Sequence, residues 1–153
     1  MKTTVEYDKD FYGWLLENAQ LLREKKWAEI DAQHVAEELE SMGKSERREL
    51  VSRLTVLLAH LLKWRFQPAK RSRSWRNTIL TQRIDIDELL EDSPSLRSEV
   101  GLKIETAYEK AKLRAEDETG IDQRQFPDTC PFSVDDVLDK HFFSNEGGAQ
   151  SDR

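Results

Sequence analysis

The residues best suited to chemistry lie in a basic segment, residues 63–76. This segment is part of residues 50–84, a stretch of the sequence that contains no acidic residue. The candidate binding residues of this segment are Lys63, Arg65, Lys70, Arg71, Arg73, Trp75 and Arg76. Lysine and arginine hold phosphate groups, and a guanidinium or an aromatic ring can stack on a base. The pattern therefore indicates local binding of an anion or a nucleic acid.

The same basic side chains have a second interpretation, in which they form ion pairs with acidic helices of the protein itself. The acidic candidates are Glu37, Glu38, Glu40, Asp85, Asp87 and Glu88. A carboxylate can accept two parallel hydrogen bonds from a guanidinium group. The aromatic residues of the segment also fit positions where helices pack together. With 24 basic and 30 acidic residues, the net charge of -6 is unfavourable for a dedicated polyanion binder. We favour the ion-pair interpretation and keep nucleic-acid binding as its alternative.

Two histidines and a glutamate suggest a metal site. His34 and Glu38 are four residues apart and therefore share one face of a helix, while His60 falls on the neighbouring predicted helix. Imidazole and carboxylate groups are ordinary ligands of transition metals. The paired H-E-x-x-H motif is missing, and a histidine in an apolar helix is more often a core residue. We predict no metal site and keep these three residues as the candidates for one, with a metal-dependent enzyme as a further alternative function.

The sequence lacks the motifs that are typical of enzymes. It contains no glycine-rich phosphate loop and no nucleophile elbow. Cys130, the single cysteine, lies in a loop without an evident activating neighbour and cannot form an intrachain disulfide. We expect no cofactor and no catalytic residue, and we favour a non-enzymatic interaction or regulatory protein.

The elements that position these residues are predicted to be helices, because apolar residues recur at the 3.6-residue period and no segment shows sustained alternation. The predicted helices cover about residues 8–25, 31–43, 45–66, 72–91 and 93–120, and a short helix follows a cap at Ser133. We therefore predict an all-α protein, a compact bundle of five main helices with a short C-terminal helix.

The apolar positions also predict which face of each helix is buried. The predicted inward residues of the first two helices are Phe11, Leu15, Ala19, Leu22, Val35, Leu39 and Met42, and Gly43 is expected to end the second helix. Between Leu54 and Leu62 the third helix is apolar on nearly every side. Such a helix is typically surrounded by others, so we place it at the centre.

Length and composition favour a single domain over residues 1–143 and a disordered tail over residues 144–153. The N-terminus does not resemble a signal peptide, and no apolar stretch approaches the roughly 20 residues of a membrane span. We expect a cytoplasmic protein that does not bind membranes. The four tryptophans, Trp14, Trp27, Trp64 and Trp75, either fill gaps between helices or expose a patch. We expect an unidentified protein partner, with a homodimer as an alternative.

Several motifs occur in an order that resembles one bacterial family. They are Tyr-Asp-x-Asp-Phe-Tyr at 7–12, Glu-Glu-Leu-Glu-Ser-Met-Gly-Lys-Ser-Glu-Arg-Arg at 37–48, Leu-Leu-Ala-His-Leu-Leu-Lys-Trp at 57–64, Arg-Ser-Arg-Ser-Trp at 71–75 and Cys-Pro-Phe at 130–132. Over about residues 7–143 the chain is similar to domain-of-unknown-function family twenty-nine, which is common in cyanobacteria and proteobacteria. The resemblance implies an α-helical bundle and a bacterial origin. It implies no activity, substrate or catalytic residue.

Overall fold

Five α-helices, connected by loops and short 3₁₀ turns, make up most of residues 5–143, the part of the chain that this computed structural model describes. The helices are α1 (Phe11–Arg23), α2 (Ala32–Phe66), α3 (Arg73–Asp92), α4 (Arg97–Thr119) and α5 (Val134–Leu138). Within these residues no strand is present. The predicted all-α class is confirmed, including the short C-terminal helix. The predicted disorder of 144–153 lies outside the described residues.

The long helix α2 corrects the prediction that Gly43 ends a helix. Gly43 lies inside α2 and does not adopt the left-handed φ of a helix stop. A glycine in the middle of a helix costs only about 1 kcal/mol relative to alanine. Its neighbours Met42 and Lys44 are good helix formers, so the helix continues through this position and the second and third predicted helices are one.

The cap predicted at Ser133 is confirmed, and other helix ends carry similar signals. The hydroxyl oxygens of Ser72 and Ser133 accept hydrogen bonds from the amides three residues later, which caps α3 and α5. Gly120 ends α4 with a left-handed φ of 82°. Pro94 opens a 3₁₀ turn, Pro94–Leu96, that leads directly into α4.

The chain divides at Glu46 into two compact units, and the second unit, from Arg47, contains the hydrophobic core. The C-terminal half of α2 is buried on nearly every side, as its sequence predicts. Its fully buried residues include Leu54, Leu57, Leu58, Leu61 and Leu62. Apolar residues that recur at helical spacing in α3 and α4 are buried around them: Ile79, Ile86, Leu90, Val100, Ile104, Ala107 and Ala111. The single-domain assignment stays a prediction.

In the first unit the buried face of α1 differs from the predicted one. Trp14, Asn18 and Leu21 are buried, whereas Phe11, Leu15 and Leu22 are 40–44% exposed. The reason is the Asp31 carboxylate, which accepts a 2.9 Å hydrogen bond from the Trp14 indole and turns that side of α1 toward the start of α2. The prediction that Leu39 and Met42 face inward is also wrong, because both are about two-thirds exposed (64% and 65%).

None of the helices in residues 5–143 is long and apolar enough to cross a membrane.

Candidate functional site

The basic segment lies at the C-terminal end of α2, in the 3₁₀ turn Pro68–Lys70 and in the first turns of α3. These three elements contain all seven predicted binding residues, and all three belong to the second unit. Their environments differ sharply. One cation is buried, two are half-buried and three are exposed.

Lys63 is the buried cation, and it has a structural role. Its ammonium group donates a 2.7 Å hydrogen bond to a carboxylate oxygen of Glu118 and lies 4.9 Å from the centre of the Trp75 ring. Burial raises the pKa of Glu118, but the hydrogen bond and the charge of Lys63 outweigh it, so this pKa is lowered overall. Lys63 therefore joins α2 to α4 and is not available to an external anion.

Arg65 and Arg71 are half-buried and lie against aromatic rings. The Arg71 Nε–H donates a 2.7 Å hydrogen bond to the Trp64 carbonyl, and its guanidinium lies 5.1 Å from the centre of the Trp64 ring. The guanidinium of Arg65 lies 5.8 Å from the centre of the Phe66 ring. These contacts fix both charges beside the turn Pro68–Lys70, because a cation above an aromatic face is held by the ring quadrupole.

Lys70, Arg73 and Arg76 are exposed, and within residues 5–143 they form no ion pair. The favoured prediction that the arginines of this segment pair with acidic helices is therefore wrong for Arg71, Arg73 and Arg76. The prediction is confirmed for Arg53, another arginine of residues 50–84, which pairs with the proposed partner Asp85 at 2.9 Å. Asp87 pairs instead with Lys140, at 3.8 Å. Three exposed cations therefore remain at the start of α3 and in the turn before it.

The exposed face of α3 beside these cations carries neutral hydrogen-bonding side chains, which the sequence reasoning missed. Ser74, Asn77 and Thr81 are exposed at helical spacing and, with Thr78 and Gln82, line a groove of about 370 Å³. The Gln82 side-chain oxygen is buried without a hydrogen-bond partner among the described residues. A search for amide and hydroxyl residues at i, i+3 and i+7 would have found this face.

His34 and Glu38, two of the metal candidates, lie in the first unit and are held by other residues. The His34 Nδ1 is 2.8 Å from an Asp31 carboxylate oxygen, and the His34 ring stacks on Tyr7 with 4.1 Å between centres. Glu38 accepts a short hydrogen bond from the Tyr7 hydroxyl, which raises the pKa of Tyr7 to about 12. This cluster fixes the segment before α1 against α2.

His60, the third metal candidate, belongs to the second unit and is a core histidine. Its Nδ1–H donates a 2.9 Å hydrogen bond to the Val56 carbonyl, and its Nε2 lies 3.5 Å from the Lys63 ammonium. Burial lowers the pKa of His60, and the Lys63 charge lowers it further. Among the described residues no group of three histidine, cysteine or acidic side chains is placed to hold a metal ion. The structure offers no support for a site at these residues.

The contact between His34 and Asp31 predicts how the His34 ring titrates with pH. The hydrogen bond to Asp31 raises the pKa of His34 above its usual 6.5, against the effect of burial. Because the folded pKa is raised, the contact stabilises the fold fully below about pH 6.5 and loses this effect as the pH rises through the folded pKa. We expect the His34 ring signals in an NMR titration to move with a midpoint above 6.5, and the Asp31→Asn variant to lower that midpoint. A midpoint at or below 6.5 in the unmodified protein would contradict this assignment.

The remaining candidates show no arrangement for nucleophilic chemistry. Burial raises the pKa of the Cys130 thiol to about 11, so the nucleophilic thiolate is scarce at neutral pH.

The four tryptophans differ in burial. Trp14 is buried, Trp64 and Trp75 are half-buried, and only Trp27 is largely exposed, at 64%. Most of the tryptophans thus fill gaps between helices.

Comparison with known proteins shows the family of the chain. The model of the family described as domain of unknown function DUF29 matches residues 6–143. No curated protein and no solved structure matches the chain. The matched residues cover both units, every helix of the described chain and the basic segment. The chain belongs to the DUF29 family.

Proposed function

We propose that this protein binds a nucleic-acid duplex through the start of α3. The observation that carries the proposal is the group of three exposed cations without ion pairs, Lys70, Arg73 and Arg76, next to the neutral face of Ser74, Asn77 and Thr81. Cations of this kind contact phosphates, while amide and hydroxyl side chains hydrogen-bond to base edges. The proposed action is binding without chemistry, in the bacterial cytoplasm.

The aromatic residues of the segment favour a duplex over a single strand. Single-strand binding proteins stack bases on exposed rings. Here Trp64 and Trp75 are half-buried, and a cation already lies over each ring, Arg71 over Trp64 and Lys63 over Trp75. A helix end with exposed polar side chains is instead the geometry that enters a major groove.

The charge distribution along α3 limits how the helix can approach a duplex. Its first half contains Arg73 and Arg76 and no acidic residue, whereas its second half contains Asp85, Asp87, Glu88, Glu91 and Asp92. Phosphates would be repelled by the second half and attracted to the first, where the positive end of the helix dipole adds to the attraction. Local binding is therefore compatible with a net charge of -6.

The test is the affinity of the full chain for a labelled DNA duplex at several salt concentrations, measured by fluorescence anisotropy. With about three phosphate contacts, the logarithm of the association constant should fall with the logarithm of the salt concentration with a slope of about -3. Failure to bind at about 50 mM salt, or an affinity that salt does not change, would overturn the proposal. Tighter binding to a single strand of the same length would show that the ligand is a single strand and not a duplex.

A protein partner is the second candidate function. It is favoured by a different surface, the exposed apolar residues of the first unit, and it does not depend on nucleic-acid binding.

A further inference from the structure

The exposed apolar residues of the protein are concentrated in the first unit. Within residues 5–46, eight large apolar side chains are at least 40% exposed: Phe11, Tyr12, Leu15, Leu16, Leu22, Trp27, Leu39 and Met42. In residues 47–143, a stretch more than twice as long, only Ile84, Leu102 and Leu113 are exposed to this degree. Scattered exposed apolar residues need no explanation, but a concentration of this kind indicates a contact surface.

These residues form stripes along the two helices of the unit. Phe11, Leu15 and Leu22 are spaced by four and seven residues, so they lie on one face of α1. Leu39 and Met42 are spaced by three residues and lie on one face of α2. The start of α1 lies against the start of α2, because Trp14 of α1 donates a hydrogen bond to Asp31 and packs edge-on against His34. An exposed apolar stripe on a helix is a typical docking surface for an amphipathic helix.

The charges around the stripes define the chemistry of that helix. Residues 5–46 contain eleven acidic and five basic side chains. On α2, the exposed Glu40 adjoins Leu39 in the sequence. An apolar stripe in an acidic unit attracts a helix with an apolar face and lysine or arginine on its edges. It repels anionic lipid, nucleic acid and the equally acidic first unit of a second copy.

We propose that the first unit docks a basic amphipathic helix of another protein on the stripes of α1 and α2. This surface is separate in the sequence from the residues proposed to bind nucleic acid, so each proposal can fail without the other.

The test uses a labelled Leu/Lys peptide of about 18 residues, patterned as an amphipathic helix, and measures its binding to the full chain by fluorescence anisotropy. The Leu39→Ser/Met42→Ser variant should bind it at least tenfold more weakly. Both residues are largely exposed, so this variant should keep the helical dichroism of the parent. The matched control, Leu102→Ser/Leu113→Ser, removes two exposed apolar side chains of α4 and should bind within about twofold of the parent.

Two reference peptides define the chemistry of the ligand. A Leu/Glu peptide of the same pattern should not bind, because the border of the stripe is acidic, and a Leu/Lys peptide with shuffled order should bind weakly, because its leucines do not align. Equal binding of the Leu/Lys peptide to both serine variants would overturn the proposal. So would equal binding of the Leu/Glu peptide, or a dimer that Leu39→Ser/Met42→Ser converts to a monomer, because a second copy would then cover the stripe.

Discussion

Replacing Arg83 with methionine is expected to lower the free energy of unfolding by about 3 to 5 kcal/mol, because three carbonyl groups, one buried and two partly buried, lose their donor. Arg83 is only 1% exposed, and its guanidinium donates hydrogen bonds to the carbonyls of Val137, Phe142 and Asp136 at 2.8, 2.6 and 3.1 Å. An uncompensated buried carbonyl costs about 1 to 3 kcal/mol. Urea unfolding followed by far-ultraviolet dichroism measures the change.

Two further variants test whether these hydrogen bonds are the cause. Arg83→Lys keeps the charge but cannot reach three carbonyls from one ammonium group, so its stability should fall between those of the parent and Arg83→Met. Arg97→Met removes an exposed arginine at the start of α4 and should change stability by less than about 0.5 kcal/mol. A loss for Arg83→Met no larger than that for Arg97→Met would show that Arg83 does not hold the C-terminal segment.

The second large effect is expected for the affinity of the protein for a DNA duplex. The Arg73→Glu/Arg76→Glu variant should bind a DNA duplex about a hundredfold more weakly than the parent at about 50 mM salt. Both side chains are exposed, so the fold should be unaffected. The reversal removes two phosphate contacts and places two negative charges at the end of α3, where the phosphates would lie. The slope of the logarithm of the association constant against the logarithm of the salt concentration should become shallower by about 2, because two phosphate contacts disappear.

The matched control for this variant is Arg47→Glu/Arg48→Glu, which reverses two exposed arginines of α2 and changes the net charge by the same amount. Its affinity for the duplex should stay within a few-fold of the parent. If both double variants lose affinity equally, binding depends on the overall charge of the protein and not on the start of α3.

Much of the fold could be predicted because it depends on local periodicity. Ile79, Ile86 and Leu90 recur on one face of α3, and all three are buried. The same reasoning failed for α1, where Phe11, Leu15 and Leu22 form an equally regular stripe that remains partly exposed. A helix with two apolar faces does not reveal from its own sequence which face is buried. The hydrogen bond of Trp14 to Asp31, 17 residues away, decides it here.

The candidate site was predicted only in part, because the roles of its cations depend on distant residues. Lys63 is neutralised by Glu118, 55 residues away, and Arg83 is held by carbonyls more than 50 residues away. Arg73 has the same side chain as Arg83 and lies on the same helix, yet it is exposed. The sequence shows where the basic residues lie but does not separate a structural cation such as Lys63 from exposed ones such as Arg73.

The most direct test of the account is a map of the backbone amide signals of the full chain by NMR as a DNA duplex is added. Binding through the start of α3 predicts that the largest shifts occur at residues 70–78, around Arg73, Arg76 and Asn77, and that they reverse when salt is raised. Shifts confined to residues 5–46, or spread evenly over the basic residues of the surface, would contradict it.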